Sequence, residues 1–570
     1  MLHTHSITWG RSVATAAITA SLVTSLTGCG LLGRTEPTHA GVQPSVSETA
    51  TTADGSAKVE STSEVMYDYD EGTSYTMQTM AMPEADEGWV DYNTEEYDAL
   101  TEQGFISAAT RPLSTVSSDV DTASYCNLRR MLRDGWLPDE IDAGAVRIEE
   151  MLNYFTYDYA TPDGDDLFAV TSHVGDCPWN KDTKLVTLGF ATRPEDDAIA
   201  KKGSNLVFLI DISGSMADYD KLDLLKRSFG ELLDHLGKND RVSIVTYAAG
   251  EDVLLEGAKG SERSRIMRII NRLRADGSTN GEAGLKMAYE VAQENFIEGG
   301  VNRIILASDG DLNVGMSSES DLHDYVDKQR ETGIYLSVLG FGTGNYKDNK
   351  METLADHGNG SYHYIDCIEE AERVLGTNLT ANLVPLADDV KLQVEFNPAQ
   401  VKGYRLIGYE NRAMADEDFR DDKKDAGDVG PGNQFTVAYE VALVGSNQKV
   451  GETDLKYGNP ATGDSTSTEW LTATIRYKPD DGGKTREQTY VVDEDSEEST
   501  PHEDWNFQAA VIELGMLLRD SSYKGTSDYD SILELLKDGG TAEDREGFAE
   551  LVDLALNNDG YDGGDYLIEE

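Results

Sequence analysis

Five oxygen-bearing residues stand out by type and position: Asp211, Ser213 and Ser215, spaced by single residues, with Thr279 and Asp309 further on. The first three follow an apolar run, LVFLI at residues 206–210, bounded by Gly203 and Gly214. That run is short, β-branched and aromatic, so it reads as a strand buried on both faces. Its carboxyl end then carries an acid-tipped, hydroxyl-rich loop, and in an open parallel α/β sheet ligands bind at the carboxyl ends of strands. Thr279 lies in a Gly-flanked loop, DGSTNGEAG, and Asp309 ends a second apolar run in ILASDGDLNVG. Carboxylates and hydroxyls are hard oxygen donors, the set a hard divalent cation takes. Alone, Asp-x-Ser-x-Ser is also what a polar turn after a strand looks like; the later Thr and Asp carry the reading beyond that.

For those residues to converge, a sheet must bring strand ends together. Strand patterns at 205–212, 241–248, 302–308, 334–341 and 361–365 alternate with helical patterns at 221–236, 262–274, 282–296, 320–331, 348–356 and 368–379. Such alternation demands a doubly wound, mostly parallel α/β sheet over residues 203–383, with Asp211 and Asp309 at one edge. The run Gly340-Phe-Gly-Thr-Gly344 lacks the lysine and spacing of either nucleotide fingerprint. It reads as a turn, and no nucleotide is expected.

Asp-x-Ser-x-Ser with a distant Thr and a distant Asp resembles the metal-ion-dependent adhesion site of the von Willebrand factor type A domain, and all five positions match. The resemblance implies Mg²⁺, with Mn²⁺ or Ca²⁺ as alternatives, touched by Ser213, Ser215 and Thr279, while Asp211 and Asp309 act through water. Few anionic ligands leave the metal electrophilic, so its open position attracts an Asp or Glu carboxylate of a partner protein. STVSSDVDTASY, AVRIEEMLNYF, CPWN, LGFGTGNYKD, VEFNPAQV and LLRDSSYKG resemble a family of bacterial exported lipoproteins over residues 114–556. In that family a von Willebrand type A domain is inserted between an N-terminal extension and a C-terminal domain of unknown function. Two positions beside the site depart from the family pattern, Asp276 where glycine is usual and Ser308 for threonine. Neither removes a ligand; Asp276 adds to the negative field.

Residues 1–29 read as a signal peptide: a thin basic start, a small-residue apolar run too short for a comfortable span, and Leu26-Thr27-Gly28-Cys29. The last four resemble the bacterial lipobox, which implies cleavage before Cys29 and lipid on its sulfur. Gly30 follows, so no acidic residue marks inner-membrane retention. The expected location is exported and lipid-anchored, in the outer membrane if the cell has one and otherwise on the outer face of the cytoplasmic membrane. Residues 30–110, rich in Ser, Thr, Glu, Asp and Gly, read as a disordered acidic tether. Residues 111–202 read as a β-rich extension with helices near 124–134 and 146–155, and 384–500 as a β-rich C-terminal domain. A helical segment at 501–556 and a disordered tail at 557–570 complete the order.

At 570 residues the chain divides into several cores. With 105 acidic against 48 basic residues, a net charge of −57, it repels nucleic-acid phosphate. Asp119, Asp121 and Thr122 read as helix-cap residues, and the acidic stretch 415–432 as a solvated loop without calcium-loop spacing. His357, His363 and Cys367 are too irregular for zinc. With Cys29 lipidated, Cys126, Cys177 and Cys367 leave either one bridge, Cys126 to Cys177, or three free thiols. No Gly-x-Ser-x-Gly or His-Glu-x-x-His occurs, which argues against an enzyme and a metal-dependent hydrolase in particular. The leading expectation is an envelope protein binding a partner through Mg²⁺; the alternative is an assembly scaffold with a structural metal.

Overall fold

The computed structural model describes residues 94–194, 203–310, 319–451, 461–463, 465–480, 482–497 and 502–559. The expected signal peptide, Cys29 and most of the expected tether lie outside them.

The N-terminal flank contributes strands β1 (Ile106–Ser107) and β2 (Leu113–Ser117), helices α1 (Ala123–Arg133) and α2 (Ile148–Asn153), and strands β3 (Phe168–Asp176) and β4 (Lys184–Thr192). The centre then runs β5 (Ser204–Asp211), α3 (Leu222–His235), β6 (Arg241–Tyr247), β7 (Glu251–Lys259), α4 (Arg263–Ile270), α5 (Gly281–Glu294) and β8 (Val301–Ser308). It continues with α6 (Glu319–Arg330), β9 (Tyr335–Phe341), α7 (Asp348–His357), β10 (Tyr362–Ile365), α8 (Ile368–Glu372), a π-helical turn at Arg373–Thr377, and α9 (Leu379–Leu383). The six strands align in the order β10-β9-β8-β5-β6-β7, parallel except for β7. Strand β5 sits inside the sheet, and its pleat splits its side chains between two cores. Leu206, Phe208 and Ile210 pack with α3, α4 and α8, whereas Val207 and Leu209 pack with α5 and α7. Each such side chain contributes about 1.5–3 kcal/mol on burial, so the strand cannot slip register without losing both faces.

The C-terminal flank adds β11 (Ala387–Phe396), β12 (Val401–Ile407), β13 (Gly427–Val429), β14 (Gln434–Leu443), β15 (Glu469–Pro479) and β16 (Arg486–Asp493). Helices α10 (Glu503–Leu518), α11 (Tyr529–Lys537) and α12 (Glu543–Asp559) follow. The two flanks share their sheets. One runs β1-β12-β14-β4-β3; in the other β2 lies along β11, beside β13, β15 and β16. Their inner faces meet in one apolar core that includes Phe190, Leu392, Phe396, Tyr439 and Ile475. Helix α10 is buried along nearly its whole length, its polar Asp504, Gln508 and Glu513 included, against α2 and the core that reaches the central sheet.

Several expectations are corrected. Residues 94–110 are not a tether: β1 pairs with β12, and Glu95 ion-pairs with Arg130 at 2.9 Å. Short-range composition conceals this, because the partners lie far away in sequence. Strand β7 had no signal, since only Leu255 and Ala258 of its nine residues are buried. The expected helix 368–379 is three pieces, and α12 continues past residue 557. Cys126, Cys177 and Cys367 are all free thiols: Cys126 packs in α1, and Cys177 opens the turn before β4. The acidic stretch 415–432 includes β13, held against β11.

Candidate metal centre

The Asp-x-Ser-x-Ser loop leaves the carboxyl end of β5. Asp211 is fully buried there, because its strand is flanked by β6 and β8 and its carboxylate turns back on its own loop. Asp211 Oδ1 accepts the Ser213 N–H at 2.8 Å, and Oδ2 accepts the Ser308 hydroxyl at 3.0 Å. Burial, with the charge of Asp309 nearby, pushes the Asp211 carboxyl up to about 6 against these hydrogen bonds. Ser213 Oγ and Ser215 Oγ lie 3.0 Å apart. Two adjacent ligands of an octahedral Mg²⁺, each about 2.1 Å from it, stand about 3.0 Å apart, so the two hydroxyls fit one edge of its shell.

The second loop is zipped to the first by its backbone. The Gly214 amide donates to the Gly277 carbonyl at 3.0 Å, and the Asp276 amide to the Ile212 carbonyl at 2.8 Å. Gly277 takes φ of +89°, a conformation that favours glycine. Thr279, two residues on, is half-buried beside this junction, and Asp276 itself is exposed. Asp309, fully buried, follows β8, which is parallel to β5 along its length. Ser308 is more than a substitute for threonine, since its oxygen also accepts the Gly310 amide at 3.1 Å.

Sequence reasoning missed Lys221. It lies just before α3, only 3% exposed, and its ammonium donates to Asp309 Oδ2 at 3.2 Å and to Asn345 Oδ1 at 2.8 Å. Asn345 Nδ2 reaches the same Asp309 oxygen at 3.2 Å. The turn read from Gly340 to Gly344 makes room for this. Gly342 has φ of +80°, and a Cβ there would come within 2.2 Å of the Lys221 stem. A lysine before a helix looks like a solvated charge; its burial is visible only once the turn after β9 is in place.

Asp119, Asp121 and Thr122 are not caps, for the Thr122 side chain makes no cap bond to α1. Asp121 Oδ1 accepts the Tyr362 amide on the edge of β10 at 2.8 Å, and Arg412 pairs with Asp119 and Asp121 at 3.4 and 3.0 Å. Arg412 also pairs with Glu352 at 2.8 Å and with Asp356. These carboxylates could have gathered a cation; the Arg412 guanidinium pairs with all four instead, and burial together with their mutual repulsion holds the Asp121 and Glu352 carboxyls well above the usual carboxylate range. His357 bonds Asp327 at 2.9 Å and His363 bonds Thr122 at 3.2 Å, each away from Cys367.

A doubly wound sheet with this loop constellation at its strand ends defines a von Willebrand factor type A protein. The von Willebrand factor type A domain model matches residues 205–374, a von Willebrand factor model matches 91–187, and the model of the C-terminal part of uncharacterized protein YfbK matches 381–558. The chain is 37% identical over 473 residues to uncharacterized protein YfbK of Escherichia coli (strain K12), covering 81% of each, and it belongs to that family. It is also 30% identical over 166 residues to inter-alpha-trypsin inhibitor heavy chain H3 of Mesocricetus auratus, spanning 27% of this chain and 18% of that one. Among solved structures, von Willebrand factor type A from Catenulispora acidiphila superposes over 70% of this chain and 91% of its own, with 16% identity and a TM-score of 0.38.

Proposed function

We propose that this protein is a lipid-anchored component of the cell envelope that holds a partner protein through a divalent cation, Mg²⁺ by preference. Ser213, Ser215 and Thr279 would touch the ion, and Asp211 and Asp309 would hold its waters, leaving one position for an Asp or Glu of the partner. The observation that supports it is the pair of serine hydroxyls 3.0 Å apart over Asp211, with the Thr279 loop bonded to theirs. Hard, mostly neutral oxygens suit Mg²⁺ and keep it electrophilic. The anchor reading rests on Leu26-Thr27-Gly28-Cys29.

The test is affinity capture from envelope extracts with Mg²⁺ and with chelator, using wild type, Asp211→Ala and Cys29→Ala. A partner retained only with Mg²⁺ and lost with Asp211→Ala is expected, as is transfer of Cys29→Ala to the soluble exported fraction. A partner held equally under chelation would favour a scaffold and defeat the adhesion reading; membrane retention of Cys29→Ala would defeat the anchor.

A further inference from the structure

The chain carries 105 acidic against 48 basic residues, yet from Arg263 to Ala275 it has five arginines and no acid. At physiological salt, charges more than about 8 Å apart are largely screened, so local sign decides what docks on an exposed face. This stretch is α4 and the turn after it. Ile266 and Ile270 form the buried stripe of the helix, in the core shared with α3. The Asn271 and Arg272 amides bond back to the Met267 and Ile269 carbonyls, so the helical path continues to Arg272. Arg265, Arg268 and Arg272, spaced by three and four, therefore share a face turned away from that stripe, in a row about 10 Å long. All three are exposed.

The other two arginines are committed. Arg263 pairs with Asp234 and donates to the Gly230 carbonyl at 2.7 Å, and Arg274 donates to the Asn271 and Leu273 carbonyls at 3.3 and 2.7 Å. Arg265 has one exposed pair, with Glu262 at 3.0 Å, a contact that contributes little. Arg268 and Arg272 pair with no described residue, and four apart on one face they repel each other. Guanidiniums so placed suit oxyanions, which arginine grips bidentately. Position says which anion. Past Arg274 the chain reaches Asp276, whose amide bonds the Ile212 carbonyl at 2.8 Å, so the row runs into the metal loops. A protein that presents one carboxylate to the ion there meets the row with the acidic residues beside it. A bilayer is less suited, since residues 263–275 expose no large apolar side chain to insert. Nor do they include a Phe, Tyr or Trp on which a nucleic-acid base could stack. We propose that the row of Arg265, Arg268 and Arg272 extends the docking surface and takes a stretch of acidic polypeptide; it rests on the adhesion reading for the link to the metal.

Fluorescence anisotropy of a rhodamine-labelled deca-glutamate peptide with the full chain tests it, at about 0.05 M NaCl to limit screening. In EDTA the peptide should bind wild type and Asp211→Ala equally. Arg268→Ala/Arg272→Ala should weaken that binding roughly tenfold, as befits two exposed arginine–carboxylate pairs. Mg²⁺ should tighten binding to wild type and to the arginine variant but not to Asp211→Ala. A wild type indifferent to Mg²⁺ would defeat the adhesion reading, while the result in EDTA decides the row. Lys423→Ala/Lys424→Ala removes the same charge from an exposed stretch of the C-terminal flank and should change nothing. Equal losses in the two double variants would reduce the effect to net charge and overturn the proposal. So would an affinity unchanged by Arg268→Ala/Arg272→Ala, or arginine-dependent binding to phosphatidylglycerol vesicles tighter than to the peptide.

Discussion

Two carboxylates buried at neighbouring strand ends repel each other and lose water, and the chain offsets this at Asp211 and Asp309 by different means. Asp211 has an amide and a hydroxyl; Asp309 has the Lys221 ammonium. Lys221 is therefore a tethered cation beside a site suited to a free one, and the two charges compete for Asp309. Lys221→Met should tighten Mg²⁺ binding roughly tenfold and, without metal, lower stability by about 3 kcal/mol, since Asp309 then loses its buried counter-ion. Calorimetry and denaturant unfolding in EDTA check both; weaker Mg²⁺ binding would show that Lys221 supports the ion instead. Asp211 contributes a pH dependence of its own. Its carboxyl rises to about 6 in the fold, against roughly 3.9 when exposed, so the native state binds the extra proton. Its contribution to metal-free stability therefore falls as pH rises from about 4 to about 6, and Mg²⁺ affinity, which needs the carboxylate, rises across that window. Comparing wild type with Asp211→Asn isolates the effect from other carboxylates; a stability difference flat across the window would refute it. That Asp211, Ser213, Ser215 and Asp309 gather at neighbouring strand ends was legible because type, spacing and strand-end context coincide. Lys221 was not, because nothing local distinguishes a buried lysine from a solvated one.

At the scale of elements, the turn after β9 serves the site although it binds nothing itself. Gly342 permits φ of +80° and leaves the space that the Lys221 stem fills. Gly342→Ala should cost about 1–3 kcal/mol through backbone strain and steric conflict. It should also displace Lys221, so that Mg²⁺ affinity moves in the same direction as in Lys221→Met. Unfolding curves with calorimetry on the single and double variants decide this; additive effects of the two changes on Mg²⁺ affinity would mean that turn and lysine act separately. The inner strands and long helices were readable because β5, β6, β8 and β9 are apolar on both faces and α3 and α5 have one apolar stripe. Strand β7 and the π-helical turn were not. The first is an edge strand with mostly exposed side chains, and the second breaks a helical pattern without glycine-proline punctuation at its start.

At the scale of the molecule, the central sheet interrupts a body made from both flanks, which is why neither flank reads as a domain alone. The chain just after residue 93 reinforces the tie. Thr94 and Glu96 amides donate to the Gly344 and Tyr346 carbonyls at 2.7 and 3.0 Å, next to Asn345 and hence Asp309. Such pairings join residues some 250 positions apart, and no local periodicity carries them. They bear on what happens if the chain is cut before β5. A protease site placed within 195–202, outside the described residues, would yield an N-terminal piece holding β1 to β4, α1 and α2. Alone, that piece has one hairpin and two unpaired short strands, too little for independent stability. Paired, β4 keeps its register with β14 from Ala191 opposite Gln434 to Lys184 opposite Val441, and β2 keeps β11. Leu185, Val186, Leu188 and Phe190 alone bury side chains worth about 1.5–3 kcal/mol each. Separation would return that surface to water with no compensating contact. The cleaved protein should therefore elute as one species in gel filtration without denaturant and keep its circular dichroism. Resolution of two fragments under native conditions would mean that the flanks are independent domains, and that the shared sheets do not hold the molecule together.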